Sequence, residues 1–182
     1  MLLLTNVVAF EVAWFASVFG GANQMPWLGP LAVLAVLLFH FQAARKPFEE
    51  MLLVCACAII GATFDSLLVA AGWVTFSSGV FSDYLTPYWI ITMWMLFGTT
   101  LNVSMRWLRR KPLSAAAVGF IGGPVAYLAG EKLGGISLTE PVLAIAALGF
   151  GWAAILPLLV RLSEDLDGMP GRRRNWIAEP VS

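Results

Sequence analysis

Six apolar runs, each near the length of a bilayer crossing, succeed one another with only brief connections between them. They are Leu2 to Phe19, Trp27 to Gln42, Met51 to Gly72, Tyr88 to Leu108, Leu113 to Gly130 and Pro141 to Leu162. About 20 residues at about 1.5 Å each cross a hydrocarbon core of roughly 30 Å. Inside that core every backbone N–H and C=O must be paired within the protein, which leaves helices or closed barrels. Runs of this length are helices. The chain is 59% hydrophobic and 12% charged, against about 45–50% and about 25% in a soluble domain. The expected fold is therefore all-α: a polytopic transmembrane helical bundle of about six helices over residues 1–162, followed by a polar cytoplasmic tail over 163–182.

The fifth run carries a ladder of small residues. Gly119, Gly123, Tyr127, Gly130 and Gly134 are spaced by 4, 4, 3 and 4 residues, which puts them on one face of a helix. In water each interior glycine would weaken a helix by roughly 1 kcal/mol relative to alanine. In a bilayer, small residues let a neighbouring helix come close. Gly119, Gly123, Gly130 and Gly134 are thus expected to pack helices together, with this run at the centre of the bundle. Pro124 removes one backbone hydrogen bond and is expected to bend it.

Orientation follows the cations. Arg45, Lys46, Arg106, Arg109, Arg110, Lys111, Arg161, Arg172, Arg173 and Arg174 share one side if the runs alternate, and Lys132 alone falls on the other. The positive-inside rule then puts both termini in the cytoplasm. Trp27, Trp73, Tyr84, Tyr88 and Trp89 sit at expected outer ends and Trp107 at an inner one, as an aromatic belt would. The first run has no basic residue before it and is interrupted by Glu11, so a retained helix is expected rather than a cleaved signal. Arg45-Lys46-Pro47 recurs as Arg110-Lys111-Pro112, 65 residues on, a faint internal echo. The net charge is zero and offers no basic surface for nucleic acid.

Two carboxyl groups interrupt the apolar runs. Glu11 lies in the middle of the first, and Asp65 about eight residues from the outer end of the third. An ionised carboxylate at mid-bilayer costs about 2.5–3.5 kcal/mol on insertion scales, so such residues usually face the bundle interior. No Lys or Arg stands at matching depth. Each is either a proton-exchanging group or a neutral acid bonded to the next helix. Glu11 and Asp65 are the candidates for catalysis, and Asn6, Glu11, Asp65, Asn102 and Tyr127 for a polar pocket. Cys55 and Cys57 point to nearly opposite sides of a helix, unsuited to a disulfide or a shared metal. His40, the only histidine, is expected to reach for the interface. No metal centre or cofactor is expected, since no P-loop, dinucleotide, GxSxG or HExxH signature occurs.

The stretches GFIGGPVAYLAGEKLGG, DSLLVAAGW and PYWIITMWMLFGTTLNVSMRWL give the chain its likeness to a known group. Up to about Leu162 it resembles domain of unknown function family 2878, small proteins of the bacterial inner (cytoplasmic) membrane. That resemblance implies no activity or site residue. It implies a genetic setting close to modification of membrane fatty acids, including cyclopropane-synthase-like proteins. Three roles fit these residues: an accessory or small catalytic component of membrane-lipid modification or envelope stress, a small proton-coupled transporter or lipid flippase, or a scaffold holding a soluble lipid-modifying enzyme on its basic loops. The expected partners are the lipid bilayer, such an enzyme, and a second copy in a homodimer.

Overall fold

The computed structural model describes residues 2–170; Arg172, Arg173 and Arg174, with the rest of the tail after Pro170, lie outside the described residues. Six helices occur among them: α1 (Leu2–Ala22), α2 (Leu28–Ala43), α3 (Pro47–Ala70), α4 (Tyr88–Leu101), α5 (Pro112–Lys132) and α6 (Pro141–Asp165). α1, α3, α5 and α6 are long and apolar enough to cross a membrane; α2 and α4 are shorter. Their outward faces carry Leu4, Ile59, Leu113, Val142 and Phe150, each more than two-thirds exposed. A soluble monomer rarely exposes so continuous an apolar surface, whereas lipid is the ordinary solvent for it.

The centre belongs to α4, not to the glycine-bearing α5. α4 packs against α1, α2, α3 and α6, while α5 leans mainly on α6. The reason is volume. α4 buries Trp89, Ile90, Trp94, Leu96, Phe97 and Leu101 around its circumference, whereas α5 has little bulk to fill a centre. α4 also stops earlier than its apolar run. The hydroxyls of Thr99 and Thr100 bond back to the Leu96 and Phe97 carbonyls at 2.7 Å, and Asn102 sends its side chain elsewhere. Such side chains compete with the helix backbone. The chain turns there and ends in a short 3-10 helix at Arg106–Leu108. α5 itself stays helical through Pro124.

The Arg-Lys-Pro echo has a structural counterpart. Pro47 and Pro112 each start a helix at its first position, where proline's missing N–H is harmless. α3 and α5 both end with a glycine in the left-handed region, Gly72 at φ +72° and Gly134 at φ +83°. Trp73 N bonds Leu68 O and Gly135 N bonds Gly130 O, the six-to-one bond of a Schellman ending. Each ending leads into a short strand. β1 (Val74–Phe76) pairs antiparallel with β2 (Ile136–Leu138), Thr75 opposite Ser137. These strands are an addition to the all-α expectation. They clamp the ends of α3 and α5 at one height.

Opposite this strand pair lies a basic end that no sequence motif announces as structured. Glu50 is fully buried, its Oε2 2.8 Å from His40 Nε2. Its Oε1 accepts from Asn102 Nδ2 at 2.7 Å and from Gly168 N at 2.8 Å. Asn102 Oδ1 accepts from Arg109, and Asp167 accepts from Arg109 at 2.8 Å and from Arg106 at 2.5 Å. His40 is therefore buried and paired, where a place at the interface was expected. Residues 166–170 fold back over these helix ends, with Met169 buried.

Candidate functional site

The equal heights of α3 and α5 decide which side chains meet. Asp65 precedes Gly72 by seven residues, and Tyr127 precedes Gly134 by the same seven. With the two ends clamped by β1 and β2, the side chains face each other, and Tyr127 Oη donates to Asp65 Oδ1. From α4, Trp94 Nε1 donates to Asp65 Oδ2 at 2.7 Å. Asp65 is 1% exposed and Tyr127 7%. A buried carboxyl without such donors would be strongly destabilising; here each oxygen has one.

Glycines make room for the aromatic rings around it. A Cβ on Gly61, one turn before Asp65, would overlap the Trp94 indole, so Trp94 lies flat on α3. The Trp94 ring stacks on Trp152 of α6 at 4.6 Å and 17°. Trp152 in turn lies against Gly123, and its carbonyl against Gly119. Gly119 and Gly123 thus seat the Trp152 side of α6, Gly130 abuts Ile136 of β2, and Gly134 is the turn at the end of α5. Phe97 stands edge-on to both indoles.

Beside this cluster is a cavity of about 230 Å³, walled by α1 (Phe10, Trp14), α4, α5 and Trp152 and Leu156 of α6. It runs along α5 from Tyr127 to Val118, about 14 Å at the helical rise, or half a bilayer core. Its opening is at Gly122, which lines it, is exposed, and has nothing near where a Cβ would stand. Near β2, Gly135 packs closely on α1, where an added Cβ would be 3.0 Å from Val18 O. Among the described residues, no Lys, Arg or His lines it.

Of the five residues expected to share a pocket, Asp65 and Tyr127 come together. Asn6 is buried and donates to Thr99 O at 3.1 Å, tying α1 to α4. Asn102 belongs to the Glu50 cluster at the basic end. Glu11 is exposed on α1. It follows Phe10 and precedes Trp14, which line the cavity, and lies away from Ala9 and Ala13, which face α2. Trp89, expected in the aromatic belt, is buried and donates to Ser78 O at 3.0 Å. Trp94, Trp152 and Gly61 were not legible as site residues, since an aromatic or a glycine in an apolar run has the pattern of ordinary core.

Residues 3–158 match the protein family described as Protein of unknown function (DUF2878). No curated protein and no solved structure matches the chain.

Proposed function

We propose, from the premise that the chain belongs to the DUF2878 family, that it binds a lipid tail within the membrane and serves membrane-lipid modification as an accessory or small catalytic component. One observation carries this: the cavity reaches the exposed Gly122 on one side and the buried Asp65–Tyr127 pair on the other. A ligand entering there comes from the bilayer. At about 230 Å³ the space exceeds the ~150 Å³ apolar cavity that takes benzene. It falls short of the ~300 Å³ at which drug-sized sites begin. It suits part of one chain, not a whole two-tailed lipid.

In this reading the basic end faces the cytoplasm of a bacterial cell, both termini lie there, and the polar cluster sits in the outer half of the inner membrane. A lipid-modifying enzyme at the basic end would be the natural partner. The scaffold role is weakened by the fate of several of its cations: Arg106 and Arg109 are engaged by Asp167 and Lys46 pairs with Glu49, leaving Arg45, Arg110 and Lys111 for a partner. A transporter reading draws support from Asp65, a carboxyl buried between helices; the exposed Gly122 in the cavity lining speaks for lateral entry instead.

The test is whole-lipid mass spectrometry on a strain lacking the gene, complemented with wild type or with Asp65→Asn. The expected result is an acyl or headgroup change that wild type restores and Asp65→Asn does not. An unchanged profile, at rest and under oxidative stress, would overturn the proposal.

A further inference from the structure

The lining of the cavity also specifies the head that its ligand carries. Resting on the reading of the cavity as a lipid-tail site, we infer that it takes a single-chain amphiphile with a quaternary ammonium head. Charge, hydrogen bonding and orientation each lead there.

Charge comes first. Asp65 is the carboxyl of the lining, and among the described residues no cation accompanies it there. Lys132 stands at the end of α5, outside the lining. Both partners of Asp65 point a hydrogen at it: Trp94 Nε1 can only donate, and Tyr127 Oη donates to the other oxygen. Two donors on two oxygens suit a carboxylate. A charge this deep lacks both the water that would screen it and the counter-ion that would neutralise it. A cation in the cavity supplies the counter-ion. An anionic head would be repelled, and a neutral head would leave the charge as it was.

Hydrogen bonding then selects among cations. Asp65 is 1% exposed and each of its oxygens is already bonded, so its charge is felt in the cavity more readily than its lone pairs are reached. A primary ammonium gives up water on three N–H groups. It would find few acceptors in walls made largely of side chains such as Phe10, Trp14, Met93 and Val118. A quaternary ammonium has no N–H to satisfy, and its methyl groups pack against apolar walls as hydrocarbon does. Aromatic side chains are the ordinary company of such heads, and Phe10, Trp14 and Tyr127 line the cavity from α1 and α5.

Orientation agrees. Asp65 and Tyr127 each lie seven residues before the glycine that ends their helix, about 10 Å at the helical rise. From them the cavity runs toward the middle of α5, where Gly122 is exposed. A head near Asp65 thus lies toward one membrane face, with its tail directed to the bilayer centre. That is the arrangement a single-chain amphiphile already has in its leaflet, so it enters past Gly122 without turning over.

The experiment measures binding of dodecyltrimethylammonium, dodecylammonium, 1-dodecanol and dodecyl sulfate to the purified chain in nanodiscs of zwitterionic lipid, by native mass spectrometry and tryptophan fluorescence, with empty nanodiscs as the blank. The trimethylammonium should bind at least roughly tenfold more tightly than the alcohol or the sulfate, as an unscreened charge predicts. It should exceed the primary ammonium by about threefold, the mark of N–H groups left without acceptors. Asp65→Asn keeps the shape and removes the charge, and should bring the trimethylammonium down to the level of the alcohol. If that variant fails to fold, the ranking of the four probes on the wild-type chain decides alone. Equal affinity for all four, or a preference for the alcohol, the sulfate or the primary ammonium, overturns the quaternary assignment while the tail site stands. A trimethylammonium preference that survives in a folded Asp65→Asn variant overturns it too. Failure of every probe to bind, or binding that Gly122→Leu leaves untouched, overturns the tail site as well.

Discussion

Glu50 and Asp65 stand on the same helix and are 0% and 1% exposed, yet their surroundings are opposite. Glu50 is saturated: His40, Asn102 and the Gly168 amide share its two oxygens. Gly168 is packed so closely on it that an added Cβ would meet Glu50 Cγ at 2.9 Å. Asp65 has one donor on each oxygen and open space alongside. A carboxyl whose partners leave no room holds helix ends together. A carboxyl with spare lone pairs beside a cavity can take a ligand. Burial alone does not distinguish the two; the space around the group does.

The contrast is sharpest in its largest expected effect. Glu50→Ala strands His40, Asn102 and the Gly168 amide and should destabilise the fold by about 3–5 kcal/mol, lowering the Tm in detergent by roughly 10 °C. A Tm within a degree or two of wild type would break the comparison at its structural half. Gly123→Leu comes next. It forces a side chain into the space held by Trp152 and should cost about 1–3 kcal/mol or prevent assembly. A normally folded, equally stable Leu variant, judged by gel filtration and melting, would refute the packing described for α5 and α6.

Asp65→Asn should lose only about 1 kcal/mol of stability, because the amide keeps an acceptor for one of the two donors. It should nevertheless fail to restore the lipid profile. If it unfolds the protein as Glu50→Ala does, the two carboxyl groups are alike after all. Gly122→Leu should leave the Tm unchanged or raise it slightly, since leucine improves on glycine in a helix by under about 1 kcal/mol; tail binding should disappear with it. Smallest is Glu11→Gln. Exposed on α1, it should shift the Tm by less than about 0.5 kcal/mol equivalent, and a large loss would show that Glu11 has a partner in the membrane.

Asp65 was legible because a charge in an apolar run has few innocent explanations. Tyr127 was legible because it stands on the glycine ladder. Glu50 was not: following Glu49 near a helix start and just past Arg45 and Lys46, it has the pattern of a solvated first-turn acid. The ladder showed that something would approach α5 closely, but not that it would be an indole from α6. Glu11 and Asp65 looked equivalent, since spacing along one helix does not say which face meets a neighbour.

The sequence by itself determined the class of fold and the proline and glycine ends of α3 and α5. Hydrophobic length and the Pro and Gly positions act locally, through backbone satisfaction in hydrocarbon and through φ. It also marked a buried carboxyl in α3 as unusual. Tertiary structure decided the rest: that α4 is central, that Glu50 rather than Asn102 alone organises the basic end, and that Asp65 meets Tyr127 and Trp94 beside a cavity. Those outcomes depend on the relative height and rotation of helices far apart in sequence. Here the pairing of β1 with β2 and the stacking of Trp94 on Trp152 set them, and neither contact is encoded within a single segment.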